Sequence, residues 1–171
     1  MKLVILTVSI LVTLFALALP SHAEDSIRLS AGKKAGGVIT QQITSPYQAG
    51  TTELRVLLPD DYQPSKKYRV VYVLPVEANR EAKYGDGLNE VQKLGLHNKH
   101  RAIFAAPTFS ALPWYADHPT DAKLRQETYF VNVVVPFIDK TYPVEGRYLL
   151  GFSKSGWGAW SLLLRHPDVF K

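Results

Sequence analysis

The stretch Gly151-Phe-Ser-Lys-Ser-Gly-Trp-Gly158 decides the fold, because it places a serine among small residues between two segments of different periodicity. Residues 147–150 before it (Arg-Tyr-Leu-Leu) predict a short strand, and residues 156–165 after it predict a helix that ends before Pro167. A strand, a tight turn with serine at its apex and a helix are typical of a nucleophile elbow. The sequence therefore predicts that Ser153 is a nucleophile.

The residues two positions on either side of Ser153 bear on this prediction. A close approach of strand to helix requires small residues there, and Gly151 and Ser155 occupy the two positions. Ser155 departs from the pattern G-x-S-x-G and adds a hydroxymethyl group where space is least. The alternative is a structural turn, rich in glycine and serine, that precedes a helix.

Upstream segments extend the alternation of strand and helix. Residues 38–44 and 51–58 predict an antiparallel pair, because a turn-type cluster separates them. Residues 68–74 and 102–106 are short apolar runs, typical of strands buried on both faces. The pattern predicts an α/β fold in which antiparallel edge strands lead into a mostly parallel sheet with helices on both faces.

Two helices are predicted between these strands. The first covers residues 87–94 and places Leu88, Val91 and Leu94 on one face. The second covers residues 121–142, with a kink at Pro136 and an N-cap near Asp121, although its run of three valines favours a strand.

Composition excludes several classes of function. The chain has 171 residues, which is the size of one domain, and 46% of them are hydrophobic. It has no cysteine, so a disulfide scaffold, a cysteine nucleophile and thiolate metal sites are excluded. The net charge of +5 is spread, with no basic run longer than the pairs 33–34 and 66–67, so we predict no nucleic-acid partner. His97 and His100 lie three apart without a third ligand, and no metal is predicted.

The N-terminal segment has the pattern of a secretory leader. Lys2 is followed by an uncharged, mainly apolar stretch over residues 3–19, then by Pro20-Ser-His-Ala23 and an acidic start at Glu24. We predict a signal peptide over residues 1–23, cleaved after Ala23, and a secreted or periplasmic domain over residues 24–171. A membrane anchor is the alternative, and no other segment is apolar enough to cross a bilayer.

Four motifs carry a resemblance to a known family: Gly-Phe-Ser-Lys-Ser-Gly-Trp-Gly-Ala at 151–159, Arg-His-Pro-Asp-Val-Phe at 165–170, Tyr-Val-Leu-Pro at 72–75 and Leu-Pro-Trp-Tyr-Ala-Asp at 112–117. With these motifs the chain resembles the putative esterase group of the α/β-hydrolase superfamily, which includes esterase D, mycolyltransferases and enterochelin esterases. The resemblance implies a serine hydrolase without a cofactor that acts on a small-molecule or carbohydrate ester. Ser153 would be its nucleophile.

The same resemblance implies an oxyanion hole formed by the backbone N–H of Lys154 and a second N–H from the loop after the strand 68–74. Pro75 has no N–H, so Val76 or Glu77 must supply the second donor. The Lys154 side chain is expected in solvent.

The resemblance also implies which residues lie near the pocket. In related esterases a loop with Trp and Tyr lies beside the pocket, which implies that Trp114, Tyr115 and Asp117 lie at its rim. The alternative is that both aromatic side chains cap the core. His118, in the loop after the second parallel strand, is a candidate rim residue and an alternative base for Ser153.

The usual partners of a catalytic serine are not found after it. Only 18 residues follow Ser153, and among them His166 and Asp168 lie beyond the elbow helix, about 15 to 18 Å away at 1.5 Å per residue. His166 is better explained as a residue of the helix C-terminus. The chain resembles the N-terminal portion of an esterase domain, truncated after the elbow.

Three classes of function follow. The first is an exported esterase that forms an acyl-Ser153 intermediate, and the second is an inactive, truncated homologue. The third is a carbohydrate-associated binding module that uses Trp114, Tyr115, Trp157 and Trp160 as a stacking surface. Trp157 and Trp160, three apart on the elbow helix, are predicted to lie in the core instead. The oligomeric state is left open.

Overall fold

A computed structural model describes residues 26–77 and 81–171, so the predicted leader lies outside the described residues. The described strands are β1 (Arg28–Leu29), β2 (Lys33–Ala35), β3 (Val38–Thr44), β4 (Thr51–Leu57), β5 (Tyr68–Val73), β6 (Ile103–Pro107) and β7 (Val144–Leu150). The helices are α1 (Glu81–Tyr84), α2 (Gly87–Lys93), α3 (Leu96–Lys99), α4 (Gln126–Tyr129), a π-helical turn (Phe130–Val134), α5 (Val135–Thr141) and α6 (Lys154–Arg165). Within these residues, no helix has the length and apolar character needed to cross a bilayer.

The strands form one mixed sheet with the order β1-β3-β4-β6-β5-β7, and β2 pairs with β3. Strands β3 and β4 are antiparallel, as predicted, and β4 also runs antiparallel to β6. Strand β5 is parallel to β6 on one side and to β7 on the other. The antiparallel strands therefore lead into a parallel part, and β7 forms the edge of the described sheet.

Helices cover both faces of the sheet, as predicted. Alternate residues of β5 point to opposite faces: Val70 and Tyr72 belong to the larger core, and Val73 belongs to the smaller one. The larger core contains Phe130, the buried face of α5 and Leu162 of α6. The smaller core lies under α2, whose Leu88 and Val91 are buried. Leu94 was expected on the same face, but it is 64% exposed because it follows the last residue of α2 as its C-cap.

The predicted kinked helix is present, but it begins at Gln126 rather than near Asp121. The π-helical turn comes directly before α5, and Pro136 lies in the first turn of α5. A proline there lacks the N–H that an α-helical turn would need, and a wider turn accommodates its ring. The predicted N-cap at Asp121 is wrong. The carboxylate of Asp117 instead accepts the backbone N–H of Thr128 in the first turn.

Candidate active site

Ser153 lies at the apex of the turn between β7 and α6, with φ 53° and ψ −121°. Few residues other than glycine adopt a positive φ, so this conformation persists only where the surrounding structure imposes it. These dihedral angles are those of a strained turn, as a nucleophile elbow requires. The side chain is exposed, and no described residue forms a hydrogen bond with its hydroxyl. The turn therefore presents the Ser153 hydroxyl to solvent.

The elbow is tight because the chain on its two sides is in contact. A Cβ atom on Gly151 would lie 2.2 Å from the carbonyl oxygen of Ser155, and one on Gly158 would lie 2.2 Å from the ring of Tyr115. Real Cβ atoms do not approach so closely, so both positions require glycine.

Ser155 stabilises the turn, although the sequence indicated that it weakens the elbow pattern. Its side chain is fully buried. Its hydroxyl accepts the backbone N–H of Phe152 at 2.9 Å and donates to the carbonyl of the same residue at 2.9 Å. The hydroxymethyl group therefore fits within the turn, and its hydroxyl forms hydrogen bonds with Phe152, the residue next to Ser153.

The two segments predicted to carry the oxyanion donors follow β5 and β7 and lie side by side. The backbone N–H of Leu74 donates to the carbonyl of Leu150 at 2.9 Å, which joins the ends of β5 and β7. A cleft of about 260 Å³ has Pro75 and Val76 on one wall and Phe152 on another. The N–H of Lys154 has no acceptor among the described residues. Val76 and Glu77 are both half-buried, and both remain candidates for the second donor.

Trp114 and Tyr115, two of the four predicted rim residues, differ in their exposure to solvent. Trp114 is 58% exposed and contacts Trp157 edge-on, with ring centroids 6.4 Å apart at 83°. Tyr115 is only 1% exposed, so it lies in the core and not at a surface. Its phenol donates to the carbonyl of Pro75. The expectation that Trp157 and Trp160 lie in the core is wrong, because they are 53% and 66% exposed.

Asp117 anchors the loop before α4. Its carboxylate accepts the N–H of Thr128 at 2.9 Å and the hydroxyl of the same residue, and it pairs with Arg125 at 3.3 Å. Burial raises the pKa of Asp117, but the Thr128 hydrogen bonds and the Arg125 charge outweigh it and hold that pKa below its ordinary value. Asp117 lines a cleft of about 400 Å³ together with Trp114 and His118.

The Nδ1 atom of His118 accepts hydrogen bonds from the backbone of its own loop. It accepts the backbone N–H of Asp121 at 3.0 Å and that of Thr120 at 3.3 Å. A neutral imidazole that accepts at Nδ1 carries its proton on Nε2. A triad histidine has the opposite tautomer, with Nδ1–H donating to the acid and Nε2 free to take the serine proton.

The remaining histidines do not assemble a site. His166 caps the C-terminus of α6, as expected, and its Nε2 lies 2.6 Å from Glu127, which also pairs with Arg165 at 2.9 Å. This pairing was not foreseen, because 39 residues separate His166 from Glu127. His97 is buried and His100 is exposed. No group of three possible metal ligands occurs within residues 26–77 and 81–171.

The side chain of Lys154 is the site feature that sequence reasoning missed. It was expected in solvent, yet its Nζ is buried and lies 4.0 Å from the centroid of the Trp114 ring. The tryptophan lies 40 positions earlier in the chain. A basic residue directly after the elbow serine and an exposed aromatic loop were the available signals, but neither predicts this contact.

The sheet order, the helices on both faces and the serine at a strained turn from strand to helix define an α/β-hydrolase. The profile of the Putative esterase family matches residues 45–171, and the chain belongs to that family.

Solved structures agree with this assignment. A ferulic acid esterase is 27% identical, with a TM-score of 0.61 over 82% of this chain and 57% of the other. S-formylglutathione hydrolase from Agrobacterium tumefaciens is 14% identical, with a TM-score of 0.58 over 83% of this chain and 58% of the other. The CE1 ferulic acid esterase from Anaeromyces mucronatus, solved in complex with ferulic acid, is 18% identical, with a TM-score of 0.55 over 81% and 58% of the two chains.

The last two structures establish the fold alone. The chain spans 57% and 58% of the first two of these proteins. No curated protein matches the chain.

Proposed function

We propose that this chain is the N-terminal part of an exported serine ester hydrolase in which Ser153 forms an acyl-enzyme. The observation that carries the proposal is the backbone of Ser153, whose positive φ presents the hydroxyl at the apex of the elbow. The likeness to the ferulic acid esterase and the match to the Putative esterase family support it.

The reaction follows from the groups at the elbow. The Ser153 oxygen attacks the ester carbonyl while a base takes its proton, and the carbonyl oxygen becomes an oxyanion. The backbone N–H of Lys154 and one N–H of Val76 or Glu77 hold that oxyanion. Each such donor typically contributes about 3 kcal/mol of transition-state stabilisation. The alcohol then leaves with the proton, and water releases the acid from Ser153.

The base and its acid are proposed to lie on chain that follows Lys171. The backbone N–H of Lys171 donates to the carbonyl of Arg147 at 2.9 Å, on the edge strand β7. A further strand that continues from Lys171 would therefore extend the sheet beside β7.

The substrate is proposed to be a small-molecule or carbohydrate ester. The exposed rings of Trp114 and Trp157 lie next to the elbow and can stack against an aromatic acyl group or a sugar face. The likeness to the ferulic acid esterase, at 27% identity, favours an aromatic acyl group.

A carbohydrate-binding module without catalysis is the second candidate, and the exposure of three tryptophans favours it. Trp114, Trp157 and Trp160 all present ring surface to solvent, whereas Tyr115 is buried and drops out of the proposed stacking surface. Isothermal titration with a panel of oligosaccharides separates the two candidates. Binding that survives Ser153→Ala in a chain that never labels at Ser153 would favour the module.

The proposal is tested by active-site labelling. A fluorophosphonate probe should not label the 171-residue chain, but it should label Ser153 in a chain extended with the sequence encoded downstream. Without a positioned histidine the hydroxyl stays protonated, and only about 10³ to 10⁴-fold acceleration over water remains.

Ser153→Ala should abolish labelling of the extended chain, and Ser65→Ala, in the exposed loop before β5, should not change it. Absence of labelling in a folded, extended chain would favour the inactive homologue. Efficient Ser153-dependent labelling of the short chain would overturn the truncation.

A further inference from the structure

Tyr115 has a backbone conformation that tyrosine rarely adopts. Its φ is 54°, in the left-handed region that a bulky side chain normally avoids, so the surrounding structure must hold it there. Within the described part of the chain, the other positive φ angles outside glycine belong to Arg101 and to Ser153, the proposed nucleophile. Strained residues cluster at functional sites, so Tyr115 is a candidate for a role at the elbow.

The ring and the main chain of Tyr115 are both held in place. The ring is 1% exposed and lies against Gly158 of α6, where a Cβ atom would have no space. It also contacts Phe109 edge-on, with ring centroids 5.6 Å apart at 82°. Nη2 of Arg165, the last residue of α6, donates to the Tyr115 carbonyl, and Nε of the same side chain pairs with Glu127 at 2.9 Å. Tyr115 is therefore fixed relative to the helix that follows the elbow.

The phenol of Tyr115 reaches the loop after β5. It donates to the carbonyl of Pro75. Burial raises the pKa of the phenol, so the group keeps its proton and remains a donor at neutral pH. The peptide that joins Pro75 to Val76 is trans, and a trans peptide is planar and rigid. A hydrogen bond to its carbonyl therefore also restricts the orientation of the Val76 N–H.

The restricted peptide lies at the start of the segment that carries the second oxyanion donor. The preceding N–H, that of Leu74, is fixed to the carbonyl of Leu150 at 2.9 Å, directly before the elbow. The N–H of Val76 has no acceptor among the described residues. Val76 and Glu77 follow the carbonyl that Tyr115 holds by one and two residues, so the phenol controls where both candidate donors begin.

We propose that Tyr115 is a positioning residue for the oxyanion hole. Its phenol holds the loop after β5 and its ring and carbonyl are held by α6, so that it fixes the donor on that loop relative to the N–H of Lys154. This inference rests on the proposed function, in which these donors hold the oxyanion. Tyr115 acts from the core, through the Pro75 carbonyl, and does not touch the substrate.

The first test removes the phenol oxygen and keeps the ring. In the 171-residue protein, Tyr115→Phe should lower the ¹⁵N order parameters of the Val76 and Glu77 amides from about 0.85 toward about 0.6, because the loop loses its anchor. The ¹³C chemical shift of the Pro75 carbonyl should change as well, since a donated hydrogen bond polarises a carbonyl. Unchanged order parameters and an unchanged carbonyl shift would overturn the proposal.

Tyr129→Phe is the matched control. Tyr129 is also fully buried, contacts Phe109 edge-on at 5.9 Å and is hydrogen-bonded through its hydroxyl to Thr52 at 2.6 Å. Its loss of a hydroxyl is chemically the same, but the partner lies on β4 and not on the loop. The control should leave the loop amides rigid, and an equal fall in both variants would reduce the role of Tyr115 to general stability.

A measurement on the unaltered protein covers the case in which Tyr115→Phe does not fold. The hydroxyl proton of Tyr115 should exchange slowly with water and should show a nuclear Overhauser effect to protons of Pro75 or Val76, because it is buried and bonded to the loop. A hydroxyl proton that exchanges rapidly and shows no such effect would contradict the anchor.

Turnover gives a readout that a purely structural role would not move. In the chain extended with the sequence encoded downstream, Tyr115→Phe should lower kcat for p-nitrophenyl acetate by about tenfold and leave KM unchanged, because oxyanion donors act in the transition state. Tyr129→Phe should leave both constants unchanged. An unchanged kcat in Tyr115→Phe, or a change confined to KM, would refute the positioning role.

The two proposals can fail separately. If a folded, extended wild-type chain does not label at Ser153 while the loop responds to Tyr115→Phe as expected, the result counts against the proposed function alone. If Ser153 labels and the loop and kcat do not respond to Tyr115→Phe, the result counts against the positioning role alone.

Discussion

The carbonyl oxygen of Ser155 lies so close to Gly151 that a Cβ atom on the glycine would stand 2.2 Å from it. This contact joins the end of β7 to the first turn of α6. Because the two segments are so close, the residues between them cannot all adopt favourable backbone angles, and Ser153 has a φ of 53°. The exposure of the Ser153 hydroxyl thus depends on the absence of a side chain two residues earlier.

Gly151→Val should prevent folding or destabilise the protein by about 3 kcal/mol or more, because the branched side chain has no space against the Ser155 carbonyl. The matched control is Gly156→Ala. A Cβ there would meet its nearest neighbour at 3.5 Å, and alanine is a better helix residue by about 0.5 to 1 kcal/mol. Urea unfolding monitored by circular dichroism measures both, and equal stability would contradict the elbow geometry.

Ser155→Gly should destabilise the elbow, although the sequence pattern predicts that glycine is tolerated there. The substitution removes both hydrogen bonds to Phe152 and adds a flexible residue to the first turn of α6. We expect a loss of about 2 kcal/mol, and about 1 kcal/mol for Ser155→Ala, which removes the hydroxyl only. Thermal melts of the two variants provide the comparison, and a glycine variant as stable as the wild type would refute this role of Ser155.

Asp117 should make the stability of the protein depend on pH in the acid range. Its pKa in the folded state lies below the unfolded value, so its contribution is present above the unfolded pKa and is lost as pH falls through the folded pKa. Asp117→Asn should cost about 1 kcal/mol at pH 7, with the difference shrinking below about pH 4. Asp168→Asn, at an exposed position, serves as the control and should unfold like the wild type. A constant difference between pH 3 and pH 7 would rule out the carboxylate as the cause.

The neutral imidazole of His118 should carry its proton on Nε2. Two backbone N–H groups donate to its Nδ1, and this holds the ring in that tautomer. The ¹⁵N chemical shifts of the ring distinguish the tautomers directly. A proton on Nδ1 would restore His118 as a candidate base for Ser153.

We predict that the protein is exported and that its mature form begins at Glu24. Removal of residues 1–23 follows from the short basic start, the apolar stretch and the Ser-His-Ala site. N-terminal sequencing or intact mass of material from the culture medium or periplasm checks the cleavage site. Retention of Met1 in a membrane fraction would replace the leader with an anchor.

Local pattern was sufficient for most of the framework. Apolar runs and turn residues predicted β3 to β7 within a few residues at each end, and the spacing of Leu88 and Val91 predicted α2. The small residues around Ser153 predicted the elbow. These signals work because each depends on chain geometry over fewer than ten residues, where periodicity and steric limits act directly.

The environment of each side chain near the elbow could not be predicted from local sequence patterns. Trp157 and Trp160 are large and apolar, yet α6 buries Ser155, Gly158 and Leu162 instead. Gly158 lies against the ring of Tyr115, and the position of that ring is set by tertiary packing rather than by the sequence of α6.

The charged partners show the same limit. The contact of the Lys154 ammonium with the Trp114 ring and the pairing of His166 with Glu127 both join residues about 40 positions apart. The serine and its turn could be predicted from the sequence, because steric constraints between residues close together in the chain impose them. The partners of Lys154, His166 and Tyr115 required the folded structure, because electrostatic attraction and burial act between groups that only the packing of separate elements brings together.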